Sequence, residues 1–338
     1  MSRVILAVAL LFCVLLTLAV PPAFAQPANG AEGPPVDQAG WAARKRTVAL
    51  PNGVRLAYVE LGNPSGRPLL LLHGFTDSSR VWTILAPYLA EHRVLIPDQR
   101  GHGNSDAPRC CYGAPDFVED ARLFLDAMHV ERAMVVGHSM GSFVGQALAA
   151  RYPDRVERLA LLGSTALPPV RRGDWLWTNV MGMTEPVAGN REFLAAFSQG
   201  ASPTPVDPDF VRHADREMIA VPLHVWRGVA RELVEIPAGR HAPEVAAPVL
   251  ILSGGADPLF PEEHHRALMA AYPRATGHVF QGLGHNFLVE RPAEVGPVLA
   301  RFLAQRTGAG SGAGRQCSLF CEGAGPNEGL APLPPDMP

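Results

Sequence analysis

Short apolar runs recur along the chain at Leu69 to Leu72, Val94 to Pro97, Ala133 to Val136, Leu159 to Leu162, Val249 to Leu252 and Val279 to Gln281. They are rich in Leu, Val and Ile and lack an alternating polar face, the pattern of strands buried on both sides of a parallel sheet. Helical periodicity fills the intervals, for example Asp116 to Met128. Strands alternating with helices predict a parallel sheet covered on both faces. Upstream, Thr47 to Leu61 alternates polar and apolar positions around Pro51-Asn52-Gly53, an Asn-Gly hairpin signal that adds two antiparallel strands. The expected fold class is therefore α/β: a mostly parallel, eight-stranded sheet with helices on both faces.

Between two of these strands, Leu167 to His241 is too long for a crossover and reads as helices at Trp175 to Met181, Arg191 to Ser198, Pro208 to Ala220 and Val225 to Ile236. Residues 167–241 are thus expected to form a helical cap over a core of 45–166 and 242–306. Trp175, Trp177 and Met181, with Met183 and Phe193, are candidates for an apolar substrate pocket, against the plainer reading that they are core.

The ends of the chain differ in composition. Arg3, the apolar run Val4 to Val20 and Ala23-Phe24-Ala25 predict a signal peptide over residues 1–25, hence a periplasmic or secreted protein. The run is long for that purpose, so an uncleaved N-terminal anchor is the alternative. Residues 26–44 are expected to be a disordered linker, and the Gly/Ala/Pro-rich 307–338 a disordered tail. With 338 residues, 47% hydrophobic, and a net charge of −3, the chain can bury one large core and shows no basic stripe for nucleic acid. Arginine replaces lysine almost throughout, Lys45 being the sole lysine, which reads as genome base composition. Past the leader, Cys110, Cys111, Cys317 and Cys321 form an even set that suggests disulfides in an oxidising compartment. Either the tail pair is stapled to Cys110-Cys111, expected at the sheet's carboxyl edge, or Cys317 and Cys321 bridge each other. No grouping has zinc-ligand spacing, and no cofactor is expected.

The chemistry is carried by Gly137-His138-Ser139-Met140-Gly141, which follows a strand and opens a helix. This is a nucleophile elbow, a sharp turn that lifts a serine hydroxyl above the sheet edge and tolerates only small flanking residues. A serine so placed needs a base and a group to orient that base, following in the order Ser, acid, His. Asp257 leaves the strand ending at Ser253, and His285 follows Gly282-Leu283-Gly284 after a later strand. Gly163-Ser164-Thr165, where some relatives carry the acid, holds no carboxylate. Among the other histidines, His138 should pack beside the elbow, and His264 and His265 should be solvated on a helix. The oxyanion hole is expected from the Met140 amide at the helix start and the Phe75 amide after His73-Gly74.

Four motifs, His73-Gly74-Phe75, Asp98 to Asp106, Gly137 to Gly141 and Gly284-His285, resemble those of the α/β-hydrolase fold superfamily, in its branch of small capped esterases and lactonases. The resemblance runs from about Arg46 to Gln305. It implies that the Asp98 to Asp106 loop buttresses the site. Similar haloalkane dehalogenases and epoxide hydrolases carry aspartate at the elbow, so Ser139 argues against both. The expected function is cofactor-free hydrolysis of a small-molecule ester or lactone by Ser139, His285 and Asp257. Carbon–carbon bond hydrolysis, acyl transfer and perhydrolase or haloperoxidase chemistry are rivals on the same trio. A silent binding protein is the rival outside catalysis.

Overall fold

The computed structural model describes residues 36–236 and 239–305. The expected leader and the tail with Cys317 and Cys321 lie outside the described residues. Strands β1 (Arg46–Ala49) and β2 (Arg55–Gly62) form the hairpin that the Asn-Gly signal predicts. The strands β3 (Pro68–Leu72), β4 (Arg93–Pro97), β5 (Ala133–His138), β6 (Val156–Leu162), β7 (Val249–Gly254) and β8 (Thr276–Phe280) follow. They assemble in the order β1-β2-β4-β3-β5-β6-β7-β8, antiparallel from β1 to β4 and parallel beyond.

The central strands are buried on both faces, and their side chains divide with a period of two. Leu70, Leu72 and Val135 enter one apolar cluster, while Leu69, Leu71, Met134 and Val136 enter the other. Helices α1 (Ala114–Ala127) and α2 (Met140–Arg151) supply the first cluster. The cap helices α3 (Trp175–Gly182), α4 (Arg191–Gly200), α5 (Pro208–Ala220) and α6 (Leu223–Glu235) lie between β6 and β7. The chain continues with α7 (Glu262–Ala271), α8 (Phe287–Glu290) and α9 (Pro292–Ala304), the last packing Val295, Leu299 and Leu303 into the second cluster. Each such side chain contributes about 1.5–3 kcal/mol of burial.

Two local expectations are corrected. The linker expected over 26–44 is ordered over 36–44, because Trp41 is fully buried and its indole N–H donates to Ser79 Oγ at 3.2 Å. Strand β8 begins earlier than Val279 because it is an edge strand whose Thr276 and His278 keep contact with solvent. Helix α9 carries Pro297 in its interior. One lost backbone bond is outweighed by the buried face on either side of it.

Candidate active site

Ser139 sits between β5 and α2 at φ 50° and ψ −121°, a conformation that non-glycine residues seldom adopt. The turn is held by its amide donating to the Leu162 carbonyl at 2.9 Å and by the Ser142 amide donating to its own carbonyl at 2.8 Å. The glycines are sterically required. A Cβ on Gly137 would stand 2.2 Å from the Gly141 carbonyl oxygen, and one on Gly141 2.2 Å from that of Leu72. The serine side is half-buried and faces a cavity.

Two loops from neighbouring strand ends bring His285 and Asp257 together. His285 Nδ1–H donates to Asp257 Oδ2 at 2.7 Å. The other Asp257 oxygen accepts from the Leu259 and Phe260 amides at 2.8 and 2.9 Å. Burial alone would raise the Asp257 pKa, but the His285 ring and these amides outweigh it and hold the carboxyl below the usual carboxylate range. With Nδ1 engaged, Nε2 is the ring nitrogen left to accept a proton. It is buried without a hydrogen-bond partner and belongs to a residue lining the same cavity as Ser139. The ring is wedged by Phe260 at 5.1 Å and approached by Gly163, whose Cβ would lie 3.2 Å from Cε1.

The cap grips this loop as well. The Ala201 carbonyl, just past α4, accepts from the His285 amide at 2.8 Å, and Thr204 Oγ1 donates to buried Glu290 at 2.7 Å. Glu290 also takes the Gly284 amide at 2.9 Å. Ala201 was not legible in the sequence, since a backbone contact has no residue signature, and Thr204 and Glu290 pair across 86 positions with no motif to link them. His138 packs beside the elbow, its Nε2–H donating to the His285 carbonyl at 3.1 Å.

On the opposite side, the β3 exit loop is pinned through His73. Its Nε2 accepts from the Gln99 amide at 2.9 Å, and its Nδ1–H donates to the Gly74 carbonyl at 2.8 Å. Thr76 takes a positive φ of 64° as the loop turns. Among the described residues neither the Phe75 amide nor the Met140 amide, first in α2, donates to another protein group. Burial, reinforced by His102, lowers the His73 pKa to about 3. The folded value lies below the unfolded one, so the stability tied to neutral His73 is present above pH 6.5 and is lost as pH falls towards 3. Each unit in that window costs about 1.4 kcal/mol. His73 resonances should therefore not titrate by NMR between pH 8 and pH 4; a midpoint near 6 would contradict its burial.

The cavity of about 310 Å³ lies between core and cap, lined by Phe75, Met140, Leu176, Phe197, Phe210 and Phe260 among others. Trp175, Trp177 and Met181 do not line it, which corrects the expected pocket. The buried face of α3 carries Leu176 and Val180, and helical spacing puts the three expected residues on its flanks. Trp175 is 50% exposed, Trp177 is covered by the Arg172 guanidinium, and the Met181 carbonyl accepts from Arg227. Trp175→Ala should leave KM within about twofold of the parent, as for other surface changes, whereas Leu176→Ala should raise it. Steady-state kinetics on one hydrolysed substrate decides between them.

Other expectations shift too. His264 and His265 are half-buried instead of solvated, bonded to Thr165 Oγ1 at 2.8 Å and Ser253 Oγ at 3.0 Å. Cys110 and Cys111 line a separate groove with Arg100 and Tyr152 and are not among the residues lining the cavity; the expected pairing that involves Cys317 and Cys321 lies outside the described residues. Among the described residues no group of three His, Cys, Asp or Glu side chains is placed to hold a metal ion.

Comparison with known proteins gives matches over the same region. The family model described as alpha/beta hydrolase fold matches residues 67–292. The chain is similar to 2-hydroxymuconate semialdehyde hydrolase of Pseudomonas sp. strain CF600, 30% identical over 260 residues, 71% of this chain and 88% of the relative. Esterase YbfF of Escherichia coli K12 is 30% identical over 255 residues, 70% of this chain and 92% of the relative. Among solved structures, a hydrolase from Pseudomonas aeruginosa PA01 superimposes with a TM-score of 0.69 at 27% identity, covering 78% of this chain and all of that one.

Proposed function

This chain belongs to the alpha/beta hydrolase fold family and is a hydrolase, and from that premise we propose that it cleaves a carboxylic ester or lactone through an acyl-enzyme on Ser139. His285 Nε2 takes the Ser139 proton as Oγ attacks the carbonyl, and Asp257 holds the ring in the required tautomer. The Phe75 and Met140 amides receive the oxyanion, with the amino end of α2 adding its dipole. The protonated imidazole then gives its proton to the leaving alcohol, and the same ring activates water to release the acid. The observation that carries this reading is the His285 ring: one nitrogen is spent on Asp257, the other is unpartnered, and the ring lines the cavity of the strained serine.

A fluorophosphonate probe should label Ser139 and no other residue, and p-nitrophenyl esters of graded chain length should be turned over. An unlabelled Ser139 in folded protein would remove the reading. Similarity to the semialdehyde hydrolase favours a second reading, carbon–carbon bond cleavage on the same trio. Ester turnover well above that of a carbon–carbon substrate decides for the first. Export is likewise proposed, on Arg3, the apolar run Val4 to Val20 and the small residues Ala23 and Ala25. Mature protein beginning at Gln26 in a periplasmic fraction would support it, and a retained leader would indicate the anchor.

A further inference from the structure

Resting on the serine-hydrolase reading, we propose that this cavity selects substrates by charge. It admits neutral esters and those bearing a cationic ammonium group, and it turns away esters that carry a carboxylate.

Among the described residues lining the cavity, the charged side chains are Asp77 and Asp215, the other titratable ones are His138 and His285, and there is no Lys or Arg. Asp77 flanks the nucleophile: the point where Gly74 would carry a Cβ is 2.8 Å from Asp77 Oδ2 and 3.2 Å from Ser139 Cβ. Its neighbour His138 Nδ1 stands 3.8 Å away, beyond hydrogen-bond reach. Asp215 comes from α5 of the cap and accepts from Ser198 Oγ at 2.6 Å, a neutral partner that leaves its charge unbalanced.

The groups behind the wall do not offset this. Buried Glu290 is satisfied by amides and a hydroxyl. The nearby cations Lys45 and Arg80 are each paired, with Asp98 and Glu217. A carboxylate on a bound substrate would meet two like charges, Asp77 with its side chain 34% exposed and Asp215 half-buried, across a largely apolar lining. A trimethylammonium group would meet two opposite charges and the faces of Phe75, Phe197, Phe210 and Phe260. The unpartnered Nε2 of His285, a residue 4% exposed in the same wall, marks this enclosure as the place where the reacting group binds.

The test uses butyrate esters of three alcohols of similar size: choline, its carbon isostere 3,3-dimethylbutanol, and 4-hydroxybutanoate. On the full chain, kcat/KM for the choline and neutral esters should each exceed that for the carboxylate ester by about tenfold or more. Asp215→Asn should lower the choline-to-neutral ratio and raise the carboxylate ester; Asp77→Asn should do the same by an independent route if the first variant folds poorly. Calorimetry with butyltrimethylammonium and with hexanoate reads the ranking without turnover. Hexanoate binding as tightly as the cation, or carboxylate ester turnover equal to the neutral one, overturns the charge proposal while leaving the serine reading intact. Absence of all ester turnover with the cation still preferred would instead overturn the serine reading alone.

Discussion

Replacing Ser139 by alanine should lower kcat/KM for a p-nitrophenyl ester by about 10⁴-fold or more, with the unfolding midpoint in urea nearly unchanged. The hydroxyl is the only group removed, and the Ser139 backbone bonds to Leu162 and Ser142 do not involve it. Alanine also keeps a Cβ, so the strain at φ 50° remains. Ser139→Gly makes the complementary measurement. It should be equally inactive but more stable than the alanine variant, because glycine alone occupies that region without the cost of about 1–3 kcal/mol. Asp257→Asn belongs to the same experiment, with an expected loss of about 10⁴-fold, since an amide at that place no longer selects the Nδ1–H tautomer. A Ser139→Ala protein that keeps a tenth of the parent activity would end the assignment. Equal stability of the alanine and glycine variants would show that the elbow stores no strain.

The parts of this site that were legible in the sequence are those where one residue type must occupy one backbone position. Gly137 and Gly141 are dictated by carbonyls a little over 2 Å from any added Cβ, so the elbow and its serine could be read directly. Asp257 and His285 were legible because each follows a short apolar strand whose register is fixed by burial. The pocket was not. Aromatic residues at helical spacing carry no sign of which face is inward, and in α3 the smaller Leu176 and Val180 turn in while Trp175 stays in solvent. The cap's hold on His285 was also hidden, since the Ala201 carbonyl is a group that every residue possesses.

Lys45 shows how composition can mislead in the same way. Its solitude among arginines reads as base composition, yet it is a buried cation. Its Nζ lies 2.7 Å from Asp98 Oδ2 and 4.0 Å from Glu217, with side-chain exposure of 2% against 0% for Asp98. Asp98 also accepts from the Ser79 and Asn104 amides, both at 2.8 Å, and Gly103 is pressed against its carboxylate. Lys45→Met removes the cation and leaves that carboxylate buried with two amides alone, at an expected cost of about 3–5 kcal/mol. Against a total of about 5–15 kcal/mol for a typical protein, this is a large share. Adding Asp98→Asn should recover part of the loss, because the neutral amide no longer needs a counter-charge, and a double-mutant cycle in urea measures that coupling. Activity should fall as well. Asp98 precedes Gln99, whose amide fixes His73 and through it the loop that carries Phe75. A single variant that loses less than about 1 kcal/mol would place Lys45 among ordinary surface pairs and detach the site from this buried charge.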